Sequence, residues 1–392
     1  MTRVCPHPVG CNGDRGTHAL LSAFAIIGAL MWAGLLLVPW RPHRTDEHLE
    51  ATEPGRMPPD EGRRVSVLVP ARNEAAVLGR TLPPLLAEPV VAEVLLIDDH
   101  STDATRAVAE ALQHPKLRVM AAPELPPGWS GKLWALEAAR REAREPWLLL
   151  VDADIELEPG MLPALIGRQR NTGAALVSVM VHLRMQEIWE RLLMPAFVFF
   201  FKLLYPFRLA NGPQSAFAAA AGGLMLIEAR CLEAIGGFGA LRGALIDDCS
   251  LAAAVKQSGA RIWIGLTHGA RSLREYPQLA NVWQMVSRTA YTQLHHSPIL
   301  LSLCVVLMIA SLVAPPLALL FGDGGERLAG LIGCAAMGIA YWPTLRYYEL
   351  PAWRVITLPV AGALFLAMTI ASAIGHHRGT TAVWRDRSYP AA

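Results

Sequence analysis

The chain has 392 residues, 53% of them hydrophobic and 17% charged, with a mean hydropathy of +0.32. It is longer than one ordinary domain and too apolar for a purely water-soluble protein. A net charge of +2 offers neither the basic surface that nucleic acid requires nor an acidic tail.

Residues 1–18 form a tail containing Cys5, His7 and Cys11. These could bind a metal, but a frayed terminus is the simpler account. With Cys231, Cys249, Cys304 and Cys334 the cysteines show no framework spacing and read as reduced thiols. Residues 19–40 follow as a transmembrane helix. Their "LLSAFAIIGALMWAGLLLVPW" carries no charge and is long enough to cross about 30 Å of hydrocarbon. It is too long and tryptophan-flanked for a cleaved signal and lacks an Ala-x-Ala exit. Residues 41–62 are a linker ending in the proline-rich "EPGRMPPDEG".

A water-soluble domain is expected over residues 63–296. "RVSVLVP" reads as a strand and "NEAAVLGRTLPPLLAE" as a helix interrupted near its end by Pro83 and Pro84. "VAEVLLIDD" is a strand, "STDATRAVAEALQ" a helix with Ser101 or Thr102 as N-cap, "LRVMAA" a strand and "KLWALEAARREA" a helix. "PWLLLVDAD", "PGMLPALIGRQ" and "AALVSVMV" continue as strand, helix and strand. The alternation predicts an α/β domain whose mainly parallel sheet is covered on both faces.

Residues 188–212, "IWERLLMPAFVFFFKLLYPFRLANG", are apolar and aromatic, interrupted by Lys202 and Arg208. They are either a buried core helix or, the preferred reading, an interfacial segment in the headgroup layer. After a small-residue stretch at 218–223, "GALIDDCSLAAAVKQSG" places Asp247 and Asp248 at the start of an amphipathic helix. Residues 297–376 form a C-terminal membrane region of about three helices (300–321, 328–342 and 356–374), the first kinked by Pro315 and Pro316. Residues 377–392 are a tail. His295 and His296 border the membrane and read as interfacial.

Basic residues set the orientation. Arg41, Arg44, Arg63 and Arg64 follow the first span and Arg346 and Arg354 lie between the last two, which places the central domain in the cytoplasm. Arg378, Arg385 and Arg387 argue the other way and weaken a count of four spans. The expected location is a multi-pass protein of a bacterial inner membrane.

In open α/β sheets ligands bind beyond the carboxyl ends of the strands. Three such ends carry polar clusters: Asn73 with Glu74, Asp98 with Asp99, and Asp152 with Asp154. Asp152 and Asp154 close an apolar strand in "WLLLVDADIELEPG" (147–160), where paired carboxylates raise each other's pKa unless a cation joins them. The strand either leaves the core into a solvated acidic turn or ends in a divalent metal site. Glu156 and Glu158 read as solvated turn acids. No Gly-x-Gly-x-x-Gly follows the first strand and no Gly-x4-Gly-Lys-Ser/Thr occurs. A bound nucleotide would therefore need carboxylates and a metal.

"VPARNE" (69–74), "IDDHSTD" (97–103), "GKLWAL" (131–136), "DAD" (152–154), "GGF" (236–238) and "DD" (247–248) occur in the order seen in family 2 glycosyltransferases. The chain resembles that family, which has the GT-A fold, over about residues 65–264. With "LPPGWSGKLWA" (125–135) and apolar segments at both ends, it looks most like the membrane glycosyltransferases associated with hopanoid biosynthesis.

The resemblance implies roles residue by residue. Asp154 would ligate Mg²⁺ or Mn²⁺ on the donor diphosphate, with Asp152 on the ribose or the metal. Asp98 and Asp99 would hold uracil and ribose, with helix-capping acids as the alternative. Pro70, Ala71, Arg72, Asn73 and Glu74 would line the nucleotide. Lys132 would contact phosphate or acceptor, or merely snorkel from a helix. Asp248 falls on the inverting base; Asp247 stands where the family has Glu. Processive members carry Gln-x-x-Arg-Trp, but here Gln284 and Arg288 are one residue too far apart and Thr289 replaces Trp. Arg288 is still expected at the diphosphate, while a processive polysaccharide synthase is disfavoured.

The implied activity is a membrane-bound, inverting, metal-dependent transfer of sugar from a nucleoside diphosphate sugar, expected to be UDP-linked, to the hydroxyl of a hopanoid or polyprenyl-type lipid. Two rivals stand. A sugar-phosphate nucleotidyltransferase would need a glycine-rich, arginine-bearing N-terminal loop that the chain lacks. A non-catalytic membrane scaffold or lipid sensor on the same fold would have no need of Asp152, Asp154 and Asp248.

Overall fold

A computed structural model describes residues 12–53, 64–244 and 246–378, and the backbone of 382–384 and 387–389. Cys5, His7, Cys11, Arg63, the linker stretch 54–62 and most of the 377–392 tail lie outside the described residues.

Eight strands form one sheet: β1 (Val65–Ala71), β2 (Val91–Asp98), β3 (Leu117–Ala121), β4 (Trp147–Val151), β5 (Ile155–Leu157), β6 (Leu176–His182), β7 (Leu224–Glu228) and β8 (Ile262–Ser272). Their order is β3-β2-β1-β4-β7-β6-β8-β5. The β3-β2-β1-β4 half is parallel, as the alternation of strands and helices predicts. The rest is mixed: β7 runs antiparallel to β4 and β6, and β5 antiparallel to β8, while β6 and β8 are parallel. These reversals serve the site, because they bring later segments back to the rim where β1, β2 and β4 end.

Helices cover both faces. Leu78, Leu82 and Leu85 of Ala75–Ala87 and Leu162 and Leu165 of Met161–Thr172 are fully buried against one face. Leu133 and Leu136 of Gly131–Glu142 and Leu251 and Val255 of Asp247–Gln257 fill the other. The spacing of these residues, three or four apart, is the helical stripe that a sheet face requires. Pro83 and Pro84 lie inside the first of these helices without ending it. The next helix begins later than its sequence suggests. It spans Thr105–Ala111 with Ala104 as N-cap rather than Ser101 or Thr102, because the Asp103 carboxylate takes the Thr105 amide at 2.9 Å.

Four helices among the described residues are long and apolar enough to cross a membrane: Ala19–Leu37, Pro298–Phe321, Gly324–Tyr347 and Ala352–His377. Where a kink is expected, a π-helical turn, Ile309–Val313, precedes Ala314, Pro315 and Pro316. Proline 315 has no N–H for the Ser311 carbonyl. The Trp32 indole N–H donates to it instead, at 2.7 Å. Helix Ile188–Leu204 lies between the domain and these apolar helices. Phe199 stacks on Trp32 and meets Tyr341, and Val198 packs with Ile264 and Leu266 under the sheet. Its capping-box Glu190 is fully buried and accepts from Arg184, Gln186 N and Tyr276 N at 2.7–2.9 Å.

Candidate active site

β4 delivers the paired acids. Beyond Val151, which sits opposite Leu224 of β7, the Asp152 amide donates to Gly223 O at 3.1 Å. The antiparallel return of β7 thus carries the small-residue stretch 218–223 to the carboxylates. A Cβ on Gly222 would come within 3.3 Å of Asp248 Oδ2 and 3.5 Å of Lys132 Nζ, so a larger side chain would fill the space between them.

Lys132 connects the two groups of acids. It stands near the start of Gly131–Glu142, whose N-cap Ser130 accepts the Leu133 amide at 3.3 Å. Its Nζ lies 2.7 Å from Asp152 Oδ1 and 3.9 Å from Asp247 Oδ2. Burial works against the ammonium, but Asp152 and then Asp247 hold its pKa above the usual lysine value. A snorkelling helix residue would not sit between carboxylates from two different elements.

Asp248 accepts the Gly222 amide at 2.9 Å on Oδ2 and the Cys249 amide at 2.7 Å on Oδ1. Burial and the neighbouring charge of Asp247 push its pKa up to about 6. The amides and Lys132 pull it down and only partly offset that rise. Burial also raises the Asp152 carboxyl, against the pull of Lys132.

Asp154 is buried and accepts the Ser272 hydroxyl at 2.7 Å. Arg274, absent from the motif-based expectation, approaches it at 3.6 Å through Nε and reaches Glu74 Oε1 at 3.3 Å through Nη2. Burial disfavours the guanidinium, yet Asp154 and other neighbours keep its pKa above the ordinary arginine value. Pairing of β5 with β8, Ile155 opposite Ser272, brings Arg274 here. A cation from the chain itself therefore offsets part of the repulsion between the acids.

The segment after β1 is locked to the segment after β2. Pro70 and Ala71 close β1 with buried side chains and so offer a ligand only backbone. Arg72 Nη1 donates to Asp99 O at 2.5 Å and lies 4.0 Å from Asp99 Oδ2. Asn73, at φ 53°, accepts the Thr102 amide at 2.8 Å. The Glu74 amide donates to Thr105 Oγ1 at 2.8 Å. Asp98 and Asp99 are 7% and 2% exposed, and Asp98 Oδ1 accepts the Ser101 amide at 3.2 Å.

Arg288 is the C-cap residue of the helix Leu279–Ser287, and its charge, like that of Arg274, acts on the Tyr276 phenol. The expected residues thus gather at one rim, with Asp247 and Asp248 facing Asp152 across Lys132. Two further residues belong to the site. The Tyr205 hydroxyl donates to Gln293 Oε1 at 2.6 Å, and it lies close enough to Cys249 and Asp248 to feel their charge.

Among the described residues no three His, Cys, Asp or Glu side chains converge to hold a metal unaided. Asp152 and Asp154 do supply hard carboxylate oxygens. Mg²⁺ and Mn²⁺ suit such oxygens, and Mg²⁺ typically takes one or two carboxylates together with waters and substrate phosphates. The residues present fit such an ion.

The chain is similar to several known proteins. Mannosyltransferase PcManGT from Pyrobaculum calidifontis, solved in complex with GDP-Man and Mn²⁺, matches with a TM-score of 0.54 and 19% identity over 91% of this chain and 98% of that one. That likeness shows the fold, which is GT-A-like. Glucosyl-3-phosphoglycerate synthase from Mycobacterium tuberculosis, solved with Mn²⁺, UDP-Glc and phosphoglyceric acid, matches more distantly (TM-score 0.41, 21% identity, 64% of this chain and 86% of that one). Succinoglycan biosynthesis protein ExoO of Rhizobium meliloti (strain 1021) is 33% identical over 113 residues, 29% of this chain and 31% of that protein. The chain thus spans about a third of that relative's length. The model of glycosyltransferase like family 2 matches residues 62–292, more than half of the chain, which therefore belongs to this glycosyltransferase family.

Proposed function

We propose that the protein is an inverting, metal-dependent transferase that moves a sugar from a UDP-linked donor to the hydroxyl of a membrane lipid of hopanoid or polyprenyl type. The observation that carries this reading is Lys132. By holding Asp152 and Asp247 at 2.7 and 3.9 Å, it keeps donor-side and acceptor-side acids in one cleft, with Asp248 beside them.

Asp152 and Asp154 would hold Mg²⁺ or Mn²⁺, whose charge stabilises a leaving nucleoside diphosphate. The nucleotide runs along residues 70–74, with Asp98 and Asp99 on base and ribose and Arg288 near the diphosphate. Asp248 removes the proton from the acceptor hydroxyl. The freed oxygen bonds to the anomeric carbon from the face opposite the diphosphate, whose bond to that carbon breaks, so the configuration inverts. A carboxylate whose pKa is raised to about 6 is ionised at neutral pH and still basic enough for the task.

The apolar helices keep the domain at the bilayer, with the catalytic face in the cytoplasm of a bacterial cell, where the basic residues at 41, 44, 346 and 354 belong. Helix Ile188–Leu204 ties that face to the membrane part, so a lipid can reach Asp248 without leaving the leaflet. The test is to incubate membranes containing the protein with a panel of radiolabelled sugar nucleotides and extract the lipids. Label in the lipid phase that depends on a divalent cation supports the reading; label in no lipid with any donor overturns it.

A further inference from the structure

The helix Ala352–His377 is long and apolar enough to cross a membrane, yet both of its ends are held by the catalytic side of the molecule. Near its start, Arg354 Nη1 donates to Arg191 O at 3.0 Å, in the first turn of Ile188–Leu204. At its middle the Phe365 ring lies 5.6 Å from Phe200. Near its end, Ser372 Oγ accepts the Tyr291 amide at 3.1 Å, and the His376 ring stacks on His296 at 4.2 Å. Two residues from Tyr291, Gln293 takes the Tyr205 hydroxyl, one residue beyond Leu204. The contacts at 354 and 365 therefore follow 191 and 200 in order, and those at 372–376 fall on Tyr291 and His296, which flank the Gln293 that takes the Tyr205 hydroxyl. The apolar helix runs beside a helix of the catalytic domain, in the same direction, for most of its length.

The other three long helices behave differently. Gly28 faces Ala310 and Pro315, and Gly330 and Gly333 face Pro315 and its neighbours, so they pack as a close antiparallel bundle. At the end away from the catalytic domain, Ala25, Ala318 and Ala329 form a cluster with Leu21, and no residue of 352–377 belongs to it. The last helix meets the bundle about half way along, where Gly362 lies against Leu312.

We propose that Ala352–His377 does not cross the bilayer but lies in the leaflet nearest the catalytic domain, so that the chain crosses three times and its C-terminal tail returns to the catalytic side. Trp353, Ile356, Val360, Ile370 and Ile374 are 36–73% exposed, and the occupant of that apolar side is the acyl region of this leaflet. Charge agrees. Four crossings would put Arg378, Arg385 and Arg387 on the side opposite Arg41, Arg44, Arg346 and Arg354; three crossings put all seven together, as the positive-inside rule requires. The helix ends against Tyr291 and His296, which flank Gln293, the partner of the Tyr205 hydroxyl near Asp248, so it forms a lipid-side wall of the acceptor approach.

This rests on the reading that the other three helices cross. The test is protease digestion of sealed vesicles carrying the full chain with one epitope tag at each terminus. The C-terminal tag and the catalytic domain should be cut from the same face, and the N-terminal tag only from the other. A C-terminal tag protected while the catalytic domain is cut overturns the proposal. An N-terminal tag cut together with the catalytic domain overturns the crossing of the first helix, and with it the membrane reading itself. Neither outcome depends on activity.

Discussion

In the proposed function, Asp154 and Asp248 divide the work that single side chains do. Asp154 is tied to Ser272 and Arg274 outside the hydrophobic core, so Asp154→Asn should leave the fold intact while weakening UDP binding in Mn²⁺. A loss of about 10–100-fold is expected, the scale seen even when residues that merely support a metal ligand are changed. Calorimetry gives the readout, and equal UDP affinity with and without EDTA would remove the metal from the account. Asp248 predicts a pH dependence. Its proton must leave before it can act, and its pKa is about 6, so kcat/KM should rise through pH 6 and level off above it, falling about tenfold per unit on the acid side. The sign for stability is opposite. The folded state holds this proton more tightly than the unfolded chain, so the stability it contributes is complete below about pH 4 and lost as pH rises through 6. A profile flat from pH 5 to 8 would contradict the assignment. Asp98, Asp99, Asp152, Asp154 and Asp248 were all legible because each stands where an apolar or small-residue stretch stops. Arg274 was not, since nothing in "SLREYP" marks it until β8 is known to pair with β5.

At the scale of elements, the parallel half of the sheet was readable because its strands are short apolar runs separated by amphipathic helices. β8 escaped for a physical reason. "IWIGLTHGARS" carries two glycines and no strict alternation, and Gly265 is required because a Cβ there would stand 2.3 Å from the Trp263 ring. The paired prolines at 315 and 316 predicted a kink, but not the Trp32 indole that satisfies the freed carbonyl, a contact between residues 279 apart. The helix bundle supplies its own test. A Cβ on Gly28 would lie 2.1 Å from Ala310 O, whereas Gly34 has nothing within 4 Å. Gly28→Ala should therefore destabilise the protein in detergent by about 1–3 kcal/mol, the range for overpacking. Gly34→Ala should be neutral or slightly stabilising, since alanine favours helix by about 0.8–1.0 kcal/mol. Equal melting temperatures for the two variants would mean that helices Asn12–Leu37 and Pro298–Phe321 do not approach as described.

For the whole molecule, hydropathy located all four long apolar helices to within a few residues, because membrane-length runs need no tertiary information. It did not report where the helix ends go, and the basic tail after the last one is the sequence sign behind the proposal of three crossings. The rim of the sheet and the apolar helices are coupled through Ile188–Leu204. Its residues face the sheet on one side and Trp32 and Tyr341 on the other, so catalytic and membrane parts should unfold together rather than as separate domains. The central claim is that Asp248 is the base in a cleft whose donor is held by other acids. The most direct test is turnover of Asp248→Asn with donor and lipid acceptor saturating, beside its UDP affinity and beside Asp247→Asn. The account predicts that Asp248→Asn loses about 10²–10⁴-fold in turnover, with donor affinity almost unchanged and Asp247→Asn milder. Transfer by Asp248→Asn at the unmutated rate would contradict it.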